Sequence, residues 1–455
     1  MNKDVLVLGA GISGLATAYW LNKEGFNVKI LERNNEPGGA METINENGFL
    51  LDFGPNSGLE TTPLIAQLAE ETGIKDQMIY ANEASNTRYI LKNNELMPLP
   101  TSPKAFFNTN LFSTKAKIRL MAEPFIGKSD DGFYQSMSEF VVRRLGQEFL
   151  DYAIDPFVSG VFAGDPSKLS VKSAFPKLYR LEEVYGGLIK GTIKGARERK
   201  KNKEKSKQSA KMFSFINGMQ TFPKAITNHL INDIEYNTQL KKIEKLSTGY
   251  KVYYNQNGEE KSIETEILLS TIPAYVLSSL INFDDKMKTH LNDIYYPPVM
   301  VLYLGFDKKD INRELDGFGY LIPSKEKKSY LGAIWSSTIF PNRAEEDKAS
   351  FTLFIGGARS PHLFESDTNK LIDKVLNEFK NVTNITGDPL IMRHKLWNKA
   401  IPQYNIGYIE HERYFEQFEK ENKGFFLSGN YRGGISVGDC VKNSELTFKR
   451  IVNNV

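Results

Sequence analysis

Apolar and polar positions along this chain follow two different periods, and the switches between them outline its elements. Val5-Leu6-Val7-Leu8 is an unbroken apolar run of the kind a parallel strand shows when both of its faces are covered. Gly9-Ala10-Gly11-Ile12-Ser13-Gly14 follows, and Leu15 to Lys23 then keeps helical spacing until Gly25 stops it. Val28 to Leu31 is a second short apolar strand that ends at Glu32. Farther on, Asn237 to Glu244 and Tyr250 to Tyr254 alternate with period two, Asn257-Gly258 signals a hairpin turn, and Glu266 to Thr271 is a strand terminated by Pro273. Residues 104 to 189 are predicted to be largely helical, most clearly at Met137 to Gly146. Near the C-terminus, Gly424 to Gly429 reads as a buried strand, Gly433-Gly434 as a turn, and the stretch through Lys449 as a helix.

A chain of 455 residues is long enough for two or three domains, and 40% hydrophobic with 25% charged residues describes an ordinary globular protein. Lys and Arg number 58 against 55 Asp and Glu, so the net charge of +3 excludes the strongly basic balance of a nucleic-acid binder. Cys440 is the single cysteine and can form neither an internal disulfide nor a thiolate metal site. That usage fits a reducing compartment, so a cytoplasmic location and no metal are expected. The uncharged run Val5 to Leu21 is punctuated by glycines and reads as strand, turn and helix, not as a signal-peptide core. Between Lys194 and Lys211 lie nine Lys or Arg against two Glu, a net +7 that leaves −4 for the rest. A solvated loop is the plainer reading of that block, and a contact with an anionic membrane surface is the sharper one.

The strand, glycine turn, helix and second strand form a dinucleotide-binding pattern. Gly9 permits a tight turn, Gly11 admits the backbone to a pyrophosphate, and Gly14 lets helix and strand pack closely. The amino terminus of the helix then faces the phosphates, and Glu32 stands at the spacing of a ribose-binding carboxylate. A plain βαβ unit whose glycines serve only packing leaves the acid at the strand end unexplained. The motif alone does not separate FAD from NAD.

Pro37-Gly38-Gly39-Ala40-Met41-Glu42-Thr43, Gly48-Phe49 and Asp52-Phe53-Gly54-Pro55-Asn56-Ser57 resemble the amine-oxidase superfamily of flavoproteins. The resemblance implies noncovalent FAD. In it the Gly38-Gly39 turn lies near the phosphates and ribityl chain, Gly54, Pro55, Asn56 and Ser57 approach the isoalloxazine ring, Leu240 passes the adenine, and the turn after Thr271 nears the flavin. Many members carry Arg where this chain has Ala40, which leaves backbone donors and Arg33 for the phosphates. The second glycine-rich end, Gly429, Gly434, Ile435 and Val437 with Asp439 in the first helical turns, completes the implied cofactor set together with Ile12 and Ser13.

Phe140-Val141-Val142-Arg143-Arg144-Leu145-Gly146, the segment Pro156 to Pro166, Leu169-Ser170, Phe175-Pro176, Gly317 to Pro323 and Asn430 to Gly434 are similar to protoporphyrinogen oxidases. That resemblance covers nearly the whole chain and implies oxidation of protoporphyrinogen IX to protoporphyrin IX in haem biosynthesis. Six electrons leave in three two-electron steps, with molecular oxygen or another acceptor recycling the flavin. By the same resemblance Arg88 matches a propionate-binding arginine, Phe318 and Leu321 match residues that flank the tetrapyrrole, Phe354 matches an apolar wall, and Gly164 matches a backbone contact. For these apolar and glycine positions composition alone indicates ordinary packing. No side chain is expected as an acid or base, and the five histidines fall outside the motifs. Coproporphyrinogen III oxidation to coproporphyrin III, or a non-catalytic flavin-binding scaffold, are the alternatives.

The expected architecture is α/β. A discontinuous Rossmann-like FAD-binding domain takes residues 1–78, 213–285 and 396–455. An α+β substrate domain takes 79–84, 190–212 and 286–395, and a mostly helical, membrane-facing subdomain takes 85–189. A peripheral position on the inner face of a membrane and a homodimer are left open.

Overall fold

The computed structural model describes residues 4–202, 210–230 and 233–454. Its first layer is a parallel five-stranded sheet in the order Ile234–Glu235, Asn27–Leu31, Asp4–Leu8, Ile267–Ser270, Phe425–Leu427. Side chains alternate across a strand. Val5 and Val7 enter a core with Leu15, Leu21, Phe213 and Val441, while Leu6 and Leu8 enter another with Ile243, Val252, Leu277 and Phe418. Two covered faces explain the unbroken apolar run. Helices Ile12–Lys23 and Val437–Asn453 pack together on the first face, where Ser444 Oγ donates to Ser13 O at 3.0 Å.

On the second face lies an antiparallel sheet of Thr238–Lys245, Tyr250–Gln256 and Glu259–Thr265. The first two were anticipated. The third follows the Asn257-Gly258 turn, whose residues adopt φ 53° and 88°.

A second layer is a seven-stranded sheet ordered Ile391–Trp397, Val299–Asp307, Lys348–Gly356, Gly332–Ile334, Gly317–Leu321, Thr87–Lys92, Glu95–Pro98. One face is sealed by helix Thr368–Thr383, which buries Leu371, Val375 and Phe379 against Leu302, Leu304 and Leu353. The opposite face meets Phe49, Leu51 and Phe53 at one end and Leu111 and Phe112 at the other.

Two expectations about organisation change. The hairpin Thr87–Lys92 and Glu95–Pro98, expected in the helical subdomain, belongs to the seven-stranded sheet because Tyr89 and Leu91 join that core and Asn93 and Asn94 supply a positive-φ turn. Helix Asp285–Asn292 and strand Ile391–Trp397 run through the expected boundaries at 285 and 396. The stretch 104–189 is largely helical, as anticipated, and a π-helical stretch Leu150–Ile154 leads into helix Asp155–Phe162; helix Leu188–Asn202 runs on into the basic block, whose first residues are therefore helical where a loop was the plainer expectation. A buried ion triad ties this layer: Arg144 meets Glu123 at 2.8 Å and also Glu182. Part of the basic block, 203–209, lies outside the described residues. Among the described residues no helix is long and apolar enough to cross a membrane.

Candidate active site

At the C-terminal end of the first strand, Gly9 takes φ 98°, a conformation that side chains disfavour. Gly14 sits so close beneath it that a Cβ would lie 2.1 Å from Gly9 O. Thr271, reached from the neighbouring strand, braces the same turn by donating from Oγ1 to Leu8 O at 2.9 Å and Gly9 O at 3.2 Å. Its hydroxyl is therefore committed to the turn. Helix Ile12–Lys23 begins at Gly11 with no side-chain cap, and a Cβ on Gly11 would meet nothing within 4 Å. An uncapped helix end that opens onto space presents unpaired N–H donors and the positive end of the helix dipole to an anion. Ile12 and Ser13 are buried, so their contribution to that end is backbone.

Glu32 is 6% exposed, and its carboxylate accepts Ala10 N and Asn34 N, both at 2.8 Å. A carboxylate has about four lone-pair positions, so capacity for a ribose hydroxyl remains. Arg33 is exposed beside it. The second glycine turn abuts the first: Gly38 N donates to Ala10 O at 2.9 Å, and a Cβ on Gly39 would reach Gly11 Cα at 3.4 Å. Gly54 lies under Ala40, whose carbonyl a Cβ would overlap at 1.8 Å. Pro55 and Ser57 are half-buried, and Asn56 Nδ2 donates to Thr352 Oγ1 at 3.1 Å. Leu240 lies two residues after Thr238, whose Oγ1 donates to Glu32 O at 2.9 Å.

From the C-terminal side, Gly429 and Gly434 have φ of 119° and 136°. Ser436 caps the last helix and donates to Asp439 Oδ2 at 2.6 Å, while Ile435 is half-buried and Val437 joins the core. Cys440 lies behind this turn, and burial pushes its thiol up to about 11, which favours the protonated form. The glycines, the uncapped helix and Glu32 fit an extended dinucleotide such as FAD.

The substrate candidates converge on the free face of the large sheet. Lys395, Val301, Phe354, Gly332, Leu321 and Ile90 are register partners across six strands. Two residues along, Arg393, Tyr303, Thr352, Ile334, Gly319 and Arg88 form the neighbouring row on the same face. Phe49, Leu51 and Phe53 plug one end of this face against Val301 and Tyr303, and Leu111 and Phe112 plug the other against Ile90. Between the plugs Phe318, Leu321 and Phe354 stay half-buried. Phe318 is an extra residue in the register with the Arg88 strand, and the exposed Arg88 guanidinium lies 5.1 Å from its ring. Gly164 follows the helix that borders this groove, and the room a Cβ would need is filled by Gln403 Oε1 at 2.7 Å and Leu169 at 2.9 Å.

Several residues here carry no sequence signal. Trp397 Nε1 donates to Phe53 O at 2.9 Å, Thr352 holds Asn56, and Lys395 pairs with Glu42, so one end of the sheet fixes the segment 42–56. Tyr275, after the Thr271 turn, is raised by burial against the lowering pull of Arg33. His290 and His411, far apart in sequence, bring their Nδ1 atoms to 3.0 Å, and burial lowers both. They lie away from the groove, on helices Asp285–Asn292 and Tyr408–Glu421.

Comparison with known proteins agrees with this geometry. The family model for flavin containing amine oxidoreductases matches residues 12–446. Protoporphyrinogen oxidase 2 of Arabidopsis thaliana is 34% identical over 96% of this chain and 92% of its own length. Coproporphyrinogen III oxidase of Bacillus subtilis is 26% identical over 96% of each. A solved structure from Exiguobacterium sp. 255-15, provisionally named a protoporphyrinogen oxidase, superposes with a TM-score of 0.83 at 20% identity over the whole of both chains. The chain belongs to the flavin-containing amine oxidoreductases, within their protoporphyrinogen oxidase family, and its cofactor is FAD.

Proposed function

We propose that this protein oxidises protoporphyrinogen IX to protoporphyrin IX, with dioxygen as the final acceptor. The observation that carries the reading is the placement of Arg88, Phe318, Leu321 and Phe354 on one sheet face that the cofactor loop also touches. When bound, FAD supplies the two-electron acceptor, used three times per substrate. The chain supplies position. Arg88 offers a planar fork to a propionate, and the Phe318 ring beneath keeps that fork oriented. Phe318, Leu321 and Phe354 cover the apolar faces of the macrocycle and exclude water. The N–H groups of Ile12, Ser13 and Gly14 would hold the pyrophosphate and Glu32 the ribose, while Gly38, Gly39, Gly54 and Gly434 would let the loops fold tightly around the cofactor. None of the five histidines lines the groove, in keeping with protons that depart as the ring system becomes aromatic.

The coproporphyrinogen reading has its own support in the Bacillus subtilis relative. An aerobic fluorescence assay with both porphyrinogens in parallel tests the two. Faster turnover of protoporphyrinogen supports the first, faster turnover of coproporphyrinogen the second, and none of either overturns both.

The helical layer is proposed to rest on an anionic membrane surface. Phe107, Ile118, Met121, Phe125 and Ile193 are exposed there, Phe125 at 90%, and the basic block begins directly after Ile193 in sequence. Large apolar side chains beside cationic ones suit a bilayer interface.

A further inference from the structure

We infer that Asp155 and Arg359 form a clamp that sets the width of the substrate groove. Asp155 opens helix Asp155–Phe162 and is 6% exposed. One carboxylate oxygen, Oδ2, accepts Ser324 N at 2.8 Å, and the other, Oδ1, meets Arg359 Nη1. The second arm of the guanidinium, Nη2, donates to Ser159 Oγ at 2.7 Å, one helical turn along. Ser324 stands three residues past Leu321, and Arg359 five past Phe354. The carboxylate thus joins the helix to the ends of the two strands that carry those walls.

The same helix touches the groove elsewhere. A Cβ on Gly160 would lie 2.4 Å from Leu321 Cδ2, so the helix already rests against that side chain. At its far end Ala163 takes φ 49° and its carbonyl accepts Ala358 N at 2.7 Å, next to Arg359. A charge buried this deeply is costly without its partner. Loss of Arg359 leaves Asp155 to seek water, frees the start of the helix, and lets Leu321 and Phe354 move relative to each other. Arg359 and Asp155 are positioning residues, since they act through the groove walls. The inference rests on the porphyrinogen reading for its substrate.

The test compares wild type, Arg359→Ala, Arg359→Lys and Asp155→Asn as FAD-loaded enzymes. KM and kcat for porphyrinogen are measured beside hydrogen exchange of residues 156–164. Arg359→Ala is expected to raise KM by about tenfold or more, with a smaller change in kcat and faster exchange at the helix. Arg359→Lys recovers part, because it restores charge without the fork. Should Arg359→Ala not retain FAD, Asp155→Asn carries the test, since it keeps an acceptor for Ser324 N. A KM within about twofold of wild type in the FAD-retaining variants, even with a lower melting temperature, would show a purely structural ion pair and overturn the clamp. Wild type that turns over neither porphyrinogen overturns the functional reading itself and, with it, the clamp's role toward substrate.

Discussion

Replacing Arg88 with Ala separates binding from folding unusually well. Arg88 is exposed, its neighbour is the Phe318 ring at 5.1 Å, and among the described residues it is in no ion pair. Truncation at such a site leaves stability within about 0.5–1 kcal/mol, the scale of an exposed cation–π contact. Toward a propionate the same guanidinium forms a charge-assisted bond worth roughly 1.5–3 kcal/mol. At 1.36 kcal/mol per decade that loss is about 10- to 150-fold in KM. The assay is porphyrin fluorescence at several substrate concentrations, with the melting temperature and flavin-to-protein ratio read from the same samples. Arg88→Lys should fall between, because a point charge keeps attraction and loses bidentate orientation. A misplaced macrocycle also lowers kcat, so kcat/KM is the quantity to compare. Wild-type kinetics in Arg88→Ala at subsaturating substrate would refute the assignment of Arg88 to the propionate.

Gly14→Ala places a methyl 2.1 Å from Gly9 O and 2.8 Å from Thr271 Oγ1, so the turn must open and FAD retention should fail; a normal flavin-to-protein ratio would contradict this. At 100 times Kd, bound FAD adds about 2.7 kcal/mol of stability, so this variant should also lose the rise in melting temperature that added FAD gives wild type. His290 and His411 are held below their usual value by burial, so the unfolded chain takes up protons first as pH falls through about 6.5, and stability drops in that window. His411→Asn should flatten the difference in melting temperature between about pH 7.5 and 5.5; an unchanged slope would show that the pair does not titrate in this way. Phe125→Asp should weaken sedimentation with anionic phospholipid vesicles without altering turnover of soluble substrate, and unchanged sedimentation would remove Phe125 from the membrane contact.

What could be read from the sequence were the features set by local backbone geometry. Gly9 and Gly14 announce a turn that only a missing Cβ permits, Gly11 leaves its mouth open, and Val5 to Leu8 announces two covered faces. Arg88 and Phe354 entered through family likeness alone, since nothing near either residue in sequence shows that their rows adjoin on one sheet face. Register across seven strands is a long-range property. The same limit hid Trp397 and Thr352, whose partners Phe53 and Asn56 lie about 300 residues away. It also hid the pairing of His290 with His411, and the hairpin Thr87–Pro98, which was not read from the sequence and fell inside the span 85–189 expected to be mostly helical.

On the proposed reading, porphyrinogen electrons pass directly to the bound flavin. Anaerobic mixing of the FAD-loaded protein with protoporphyrinogen tests this most directly, with visible flavin absorbance and porphyrin fluorescence followed together. Flavin absorbance should bleach as porphyrin appears, with about three flavins reduced for each porphyrin formed, and return when air is admitted. Flavin that stays oxidised while in contact with excess porphyrinogen would contradict it.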